Sequence, residues 1–387
     1  MIRWSSFRLD RVSLLLVLIA GLSVVYAAFV TIKPNRIAKG ESKYLVELLD
    51  QPSTWVLLGC LVVWAVVHLL STRVRWRLLS ANVALWVLLI SIGVIATTFA
   101  TKPIVRVTPS SAFWLLFGVL SLSITDSWVR LKLKPWYRLV VLGFYLLVGG
   151  GVLWSGVLDD LAIMREFYAR EAKFWQEALR HLQLTLGALS VALLIGLPLG
   201  VWSFQVPALR QIVLQTLSLV QTIPSIALFG LLMAPLGWLA AQSTGAQALG
   251  ISGIGAAPAL VALVIYNLLP IVANTVIGLE GVAPAVRDAA KGMGLTRAQR
   301  LWQVDIPLAF PVILTGVRIV LVQGIGLVTV AALIGGGGFG TFVFQGLGQT
   351  STDLVLLGAL PIVGLAWVAA VILDALAESL TVTEQAA

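Results

Sequence analysis

Few side chains in this sequence have the types and the spacing that chemistry on a substrate requires. His68 and His181 are the only histidines, and we interpret neither as paired with a carboxylate or a second ligand at a useful spacing. Asp374 and Glu378 form an isolated pair four residues apart. Acid–base catalysis and metal binding both need several converging groups. We therefore expect no catalytic residue, no metal site and no enzymatic activity in this chain.

Two other motifs are weaker than they first look. Cys60 is the only cysteine and lies in an apolar run, so it excludes a disulfide framework and reads as a buried small side chain. The glycines of "GGGGFG", Gly335, Gly337 and Gly340, fit the dinucleotide-binding pattern G-x-G-x-x-G. That pattern needs a preceding strand, whereas an apolar span precedes it here. We predict a flexible extracytoplasmic turn instead.

The composition defines the elements that must position these groups. Hydrophobic residues make up 59% of the chain and charged residues 11%, and the mean hydropathy is +0.99. Such a chain is too apolar for a soluble globule and too long for a single anchor. The net charge of +9 does not indicate nucleic acid binding, because Lys and Arg mark the cytoplasmic loops of membrane proteins. We predict an all-α polytopic membrane protein.

Apolar runs near 20 residues, the length that crosses about 30 Å of hydrocarbon, predict about ten transmembrane helices. The N-terminal run follows three arginines, as in a secretory signal, but we favour an uncleaved first helix. The predicted spans are 12–31, 54–70, 78–99, 110–126, 138–156, 183–203, 212–236, 258–278, 310–334 and 354–376.

The positions of Lys and Arg predict the orientation. With a cytoplasmic N-terminus, 15 of these residues fall in inside segments and 10 in outside segments. The densest clusters, "RVRWR" and "RLKLKPWYR", are both inside. Because cytoplasmic loops carry the excess of positive charge, we predict that both termini and the polar stretch 287–309 are cytoplasmic.

Changes in residue composition along the chain predict its domains. Residues 1–156 hold five Leu-, Val- and Trp-rich spans, and 157–182 form an amphipathic extracytoplasmic segment. From 183 to 378 the spans are rich in Gly, Pro, Thr, Gln and Asn, which allow close helix packing and point polar groups into a bundle. We expect this last part to be the working domain.

The polar stretch after the eighth span predicts two short helices. The first begins near Pro284 and has one apolar face, and Gly294 ends it. Thr296 and Gln299 form a capping box that starts the second helix, which ends near Pro307. Two hinged helices with exposed Lys and Arg suit docking into a partner's groove. An ordinary loop packed on its own spans is the alternative. The apolar face consists of Val286, Ala289, Ala290 and Met293.

The stretch "DAAKGMGLTRAQRLWQVDIP" resembles the EAA motif of ATP-binding-cassette (ABC) importer permeases, with Asp288 where that motif has Glu. Four further stretches resemble the quaternary-amine permeases of that superfamily: "HLQLTLGALSVALLIGLPLG", "VQTIPSIALFGLL", "YNLLPIVANTVIGL" and "AALIGGGGFGTFVFQGL". Ala273 stands where many relatives have Arg. The first half resembles the N-terminally extended YehY-type glycine betaine permeases in "KPNRIAKGE" and "LDDLAIMREFYAR".

This resemblance implies that residues 183–378 form a MetI-like permease core with a cytoplasmic coupling loop at 280–308. It implies a bacterial inner-membrane importer of a quaternary-ammonium solute such as glycine betaine or choline. The implied partners are two ATPase subunits, a second permease subunit and an extracytoplasmic solute-binding protein. ATP would bind the ATPase, since the chain has no G-x-x-x-x-G-K-[ST], and no cofactor is expected here. The implied ATPase-coupling residues are Asp288, Ala289, Ala290, Gly294, Thr296, Ile306 and Pro307.

Polar residues inside the seventh and eighth spans predict the translocation path or its gate, because each is costly in lipid and usually faces a bundle interior. Pro224 and Pro270 would free backbone carbonyls that neighbours must satisfy. Tyr266 and Trp202 could attract a quaternary ammonium through their ring faces. Simple adhesion between helices is the alternative role. The predicted path residues are Gln221, Thr222, Pro224, Ser225, Tyr266, Asn267, Pro270 and Asn274.

Other functions stay open at this stage. A permease for another small cationic or zwitterionic solute fits the same pattern. A membrane channel would not need the two-helix docking element.

Arg318 lies about 12 Å along its span at 1.5 Å per residue, and we expect it to pair with a structural partner near the membrane edge.

Overall fold

The structure of the protein, a computed structural model, describes residues 10–35, 38–102 and 104–386, with side chains through residue 379. Arg3, Arg8 and Arg36, which entered the orientation count, lie outside these residues. The described chain is helical almost throughout, which confirms the predicted all-α polytopic class. The helices are α1 Arg11–Tyr26, α2 Pro52–Leu70, α3 Val74–Phe99, α4 Ser111–Leu131, α5 Pro135–Trp154, α6 Ala162–Ala169, α7 Glu171–Gln205, α8 Pro207–Gln221, α9 Ser225–Gln242, α10 Thr244–Ala248, α11 Ala256–Glu280, α12 Pro284–Gly292, α13 Arg297–Arg300, α14 Ile306–Ala331, α15 Gly340–Gly348 and α16 Thr352–Ala386.

Nine helical segments in the described ranges are long and apolar enough to cross a membrane, against the ten that we predicted. The predicted first span, 12–31, has no counterpart among these nine segments. Helix α1 has 16 residues and is about 24 Å long at 1.5 Å per residue. The chain then becomes strand β1, Ala28–Lys33. The alternating, β-branched sequence "FVTI" favours that strand once partners are available.

One of those partners is more than 70 residues away in the chain, which is why the sheet was not predicted. Strand β1 lies between β2, Glu41–Tyr44, and β3, Arg106–Pro109, in an antiparallel sheet. Phe29 and Val30 of β1 are fully buried. The small sheet therefore packs against helices α1, α3 and α4 of the chain.

The predicted seventh span, 212–236, is also wrong as a single helix. Helices α8 and α9 are separated at Thr222–Pro224. Proline has no amide hydrogen and disfavours helical geometry in the residue before it, so Pro224 ends one helix and precedes the next. The break places several predicted path residues outside a regular helix.

The chain packs as two compact units, each described here by itself. The first comprises residues up to 137 and 143–169, and the second comprises 138–142 and 170 onward. The predicted amphipathic segment 157–182 becomes α6 and the first turns of the 35-residue helix α7. In the first unit, α2, α3 and α4 bury a common core that includes Trp64, Leu88 and Leu116.

Helix α11 is the centre of the second unit. An added Cβ would lie 2.8 Å from Ile271 at Gly196 and 2.6 Å from Thr275 at Gly200. Helix α7 can therefore approach α11 this closely only because it carries glycine at both positions. This contact packs α7 against Ile271 and Thr275 of α11, the helix that carries four of the predicted path residues.

Candidate functional site

The coupling segment, residues 280–308, has the two helix starts and the glycine turn that its sequence predicts. Helix α12 begins at Pro284, and Gly294 follows it with a φ of +81°. The Gly294 amide donates to the carbonyl of Lys291 at 2.9 Å, which closes the end of α12. The capping box is confirmed: Gln299 N donates to Thr296 Oγ1 at 3.3 Å, and Thr296 N donates to Gln299 Oε1 at 2.9 Å.

The expected end of the second short helix near Pro307 is wrong. Helix α13 passes through a π-helical turn at Leu301–Asp305 directly into α14, which begins at Ile306. Pro307 has no amide to donate to the preceding turn, so the hydrogen bonds change register instead of ending. Ile306 and Pro307 therefore belong to the first turn of the long helix α14. Helix α12 is a separate arm of the coupling segment.

A buried carboxylate holds this arm to the rest of the second unit. Asp305 is 1% exposed and accepts from Arg287 Nε at 2.9 Å and from Arg300 Nε at 3.3 Å. The Arg287 guanidinium also donates to the carbonyl of Leu279 and lies 5.0 Å from the ring centre of Phe204. One arginine thus joins α12 to α7, α11 and the base of α14.

This contact, the Arg287–Asp305 clamp, was not predicted from the sequence. The Lys and Arg of the segment were expected to be exposed, whereas the Arg287 side chain is only 20% exposed. Asp305 was the available signal, because a carboxylate that opens an apolar span must find a cation or lie at the surface. Its partner, 18 residues away, could not be read from local spacing.

The predicted apolar face of α12 points mostly away from its own chain. Ala290 is buried, but Val286 and Met293 are exposed. Trp302, in the π-helical turn after α13, is also exposed. Asp288 pairs with Lys291 at 2.8 Å. The hydrogen bond from Lys291 and its charge hold the pKa of the Asp288 carboxyl below its usual range. The segment therefore presents apolar side chains beside an ionised carboxylate.

The predicted path residues meet at the break between α8 and α9. Pro270 has no amide, so the Tyr266 carbonyl one turn earlier lacks its helical donor. Gln221 Nε2 donates to that carbonyl at 2.9 Å. The Tyr266 hydroxyl in turn donates to the carbonyl of Ile223, inside the break. These reciprocal hydrogen bonds, the Tyr266 contacts, tie the break to α11.

The other predicted path residues are less closely connected. Asn267 is buried, and its Oδ1 has no hydrogen-bond partner among the residues that the structure describes. Asn274 Nδ2 donates to the carbonyl of Pro270 at 2.8 Å. Thr222 donates to Leu219 at 2.7 Å, and Ser225 opens α9. Their role in a path stays a prediction.

Two further expectations concern residues along the spans. Tyr266 is buried and Trp202 is exposed on α7. Arg318 NH1 lies 2.5 Å from Asp374 Oδ1, so the expected structural pairing of Arg318 is confirmed. Asp374, which sequence analysis paired with Glu378, is the partner.

The glycine loop, residues 335–340, is held by α7 and is not a free turn. Glu177 is buried, and its Oε2 accepts the Gly338 amide at 2.6 Å. Arg180 Nε donates to the Gly336 carbonyl at 3.1 Å, and His181 Nδ1 accepts the Phe339 amide at 3.4 Å. Helix α14 and a single 3₁₀ turn precede the loop, so the dinucleotide reading fails, as expected.

Sequence analysis overlooked Glu177, which lies one helical turn before His181 on the same face. Lys173 is a further turn back and pairs with Glu177 at 2.7 Å. The spacing 173, 177, 181 was the signal for a polar stripe that faces the loop.

We expect Glu177→Ala to loosen the glycine loop. The Gly338 amide would be left buried without its acceptor, which costs about 1–3 kcal/mol. The purified protein should unfold at a lower temperature, and loop amides should exchange faster with deuterium. Glu171→Ala removes an exposed acid from the same helix and should change neither measurement. Equal effects of both variants would contradict this role.

The long apolar helices of the described residues define the class of polytopic helical membrane proteins, and the second unit adds the two short helices of the coupling segment. Residues 10–164 match the ABC transporter permease YehY N-terminal domain, and residues 192–381 match the binding-protein-dependent transport system inner membrane component. The chain belongs to the binding-protein-dependent ABC transporter permeases and is a transport component of that family.

Curated relatives match about half of the chain. The osmoprotectant import permease protein OsmW of Salmonella typhimurium is 42% identical over 183 residues, which cover 47% of this chain and 80% of OsmW. The glycine betaine/carnitine/choline transport system permease protein OpuCB of Bacillus subtilis is 34% identical over 48% of this chain and 78% of its own. A solved inward-facing structure of the MetNI methionine ABC transporter aligns at 20% identity with a TM-score of 0.48, over 54% of this chain and 97% of that one.

Proposed function

We propose that this chain is the transmembrane permease subunit of an ATP-driven importer for a quaternary-ammonium compatible solute such as glycine betaine or choline. The coupling segment carries the proposal, because it combines an EAA-like sequence with an exposed apolar arm and a buried anchor. The substrate class is supported by relatives whose names state osmoprotectant, carnitine, glycine betaine or choline transport. Substrate selection would rest mainly with a solute-binding protein.

In the proposed mechanism, this chain transmits a movement from the ATPase and neither forms nor breaks a covalent bond. An ATPase subunit binds α12 through Val286, Met293 and the ionised Asp288. The Arg287–Asp305 clamp passes the movement of α12 to α7, α11 and α14. Interlocked polar contacts of this kind have discrete arrangements, so a shift at one end repacks the other.

Helix α11 carries the movement across the membrane. The Tyr266 contacts join α11 to the break between α8 and α9. A shift of α11 would therefore move Gln221, Thr222 and Pro224, which we place at the gate. Pro270 removes one backbone hydrogen bond inside α11, which would allow the two halves of the helix to move separately. ATP is hydrolysed by the partner, and this chain supplies no residue to that step.

The proposed orientation follows from the charge distribution. The coupling segment and both termini lie in the cytoplasm, and the glycine loop lies on the outer side of a bacterial inner membrane. The partners are two ATPase subunits, a second permease subunit of the same or a paralogous sequence, and an extracytoplasmic solute-binding protein.

Uptake of labelled glycine betaine and choline by cells that express this chain, its ATPase and its binding protein tests the proposal. We expect uptake that requires all three components. Uptake that persists without the ATPase would instead indicate a channel. If neither solute is taken up but another small cationic or zwitterionic solute is, the permease assignment stands and the substrate assignment fails.

A further inference from the structure

The turn between α2 and α3 opens into a basic cleft in the first unit. The arginine cleft has a volume of about 720 Å³. Two arginines and a tryptophan from the first turn of α3 form most of its wall. It is lined by Arg73, Val74, Arg75, Trp76, Leu79 and Leu131.

The two cleft arginines have charge available for a ligand. Within the described residues, neither the Arg73 nor the Arg75 side chain forms an ion pair or a hydrogen bond, and both are exposed. Their neighbour Arg77 is different, because it is buried and pairs with Asp10 at 3.1 Å. The cleft therefore favours an anion.

Asp10, the partner of Arg77, is already neutralised. Arg130 also pairs with Asp10, at 2.6 Å. Burial alone would raise the pKa of the Asp10 carboxyl, but Arg130, the Val12 amide and Arg77 outweigh burial and hold the pKa below its usual range. Asp10 is thus ionised and occupied by two other arginines.

An apolar groove continues from the cleft along the outside of the α2–α3 pair. Trp76 and Leu79 line both the cleft and the groove, so the two are continuous. The groove has a volume of about 450 Å³. Its walls include Val56, Gly59, Cys60 and Val67 from α2 and Trp76 and Leu79 from α3.

The dimensions of the groove match one leaflet of a bilayer. Val56 and Val67 are eleven residues apart, about 16 Å along a helix, and half of the hydrocarbon core is about 15 Å. Gly59 forms an open part of the wall, since nothing lies within 4 Å of a Cβ added there. Trp76, at the junction, is a residue type that prefers the headgroup level.

We propose that this face of the first unit binds one anionic phospholipid, with its headgroup phosphate at Arg73 and Arg75 and an acyl chain in the groove. A free phosphate would use the arginines but not the groove. A zwitterionic lipid would fill the groove but leave the two positive charges only partly compensated. The proposal is independent of the transported solute.

Native mass spectrometry of the purified full-length chain in detergent tests the headgroup preference. We expect phosphatidylglycerol to be retained at least about tenfold more strongly than phosphatidylcholine, since each basic residue near an anionic lipid adds to binding. Arg73→Gln with Arg75→Gln should remove this preference. Lys132→Gln with Lys134→Gln removes the same charge from the neighbouring turn, outside the cleft, and should keep it. Equal retention of the two lipids by the unmodified chain would overturn the proposal.

Filling the groove tests the acyl-chain site. Gly59→Leu adds a side chain into open space, so it should fold normally and retain less phosphatidylglycerol. Gly118→Leu on α4 also meets nothing within 4 Å of its Cβ and lies outside the groove, and it should retain the lipid. Equal retention by the two variants would contradict an acyl chain in the groove.

The single cysteine allows the site to be located without a new label. Cys60 is free and lines the groove, so phosphatidylglycerol should slow its reaction with N-ethylmaleimide severalfold. Inorganic phosphate and glycerol phosphate should not protect it. Protection by phosphate alone would indicate a soluble-anion site, and no protection by the lipid would place the lipid elsewhere. Either result would overturn the proposal.

Discussion

Asp305→Ala is expected to reduce ATP-driven uptake at least about tenfold and to lower the stability of the purified protein by about 3–5 kcal/mol, the cost of breaking a buried ion pair. Asp305 is almost fully buried and holds both Arg287 and Arg300. Its removal leaves two arginines without their acceptor, and it frees α12 from the base of α14. Transport assays in proteoliposomes and thermal unfolding measure the two effects.

The distinctive result would be loss of coupling. With α12 detached, ATP hydrolysis by the assembled transporter should continue while uptake falls. Glu280→Ala is the matched control, because Glu280 is the last residue of α11, forms no hydrogen bond or ion pair with the Arg287–Asp305 clamp within the described residues, and pairs with Arg210 through side chains that are 48% and 39% exposed. Exposed pairs contribute about 0–1 kcal/mol, so this variant should transport normally. Parallel losses of uptake and ATP hydrolysis in Asp305→Ala would argue for general misfolding and against a clamp.

Gly294→Pro is expected to abolish uptake. Proline fixes φ near −65°, whereas Gly294 has a φ of +81°. The substitution also removes the amide that donates to Lys291, and it disfavours the conformation of Met293. The turn between α12 and α13 would have to rearrange, which moves the whole arm.

A graded series separates conformation from bulk. Gly294→Ala places an L-residue in the left-handed region at a cost of about 1–2 kcal/mol, so uptake should fall partially. Gly292→Ala is the control, since Gly292 lies in α12 with ordinary helical φ and, like Gly294, has nothing within 4 Å of an added Cβ. It should be neutral or slightly stabilising. Full uptake by Gly294→Pro would exclude a hinge function for this glycine.

The coupling segment shows how far local sequence can predict a site. Its helix starts follow from Pro284 and from the Thr296 capping box, and its turn follows from Gly294. All three signals act within four residues, so they could be read without knowledge of the fold. The continuation of α13 into α14 could not, because Pro307 can either end a helix or shift its hydrogen-bond register, and packing selects between these outcomes.

The sequence by itself determined the membrane class, eight of the ten predicted spans as single helices, and the position of the coupling segment, because hydropathy, proline, glycine and capping are properties of short stretches. The tertiary structure decided the pairing of β1, the anchoring of Arg287 by Asp305, and the hydrogen bonds between Gln221 and Tyr266. Each of these joins residues that belong to different structural elements. Their formation depends on which buried polar groups the packing of the helices brings within reach, and local spacing carries no record of that.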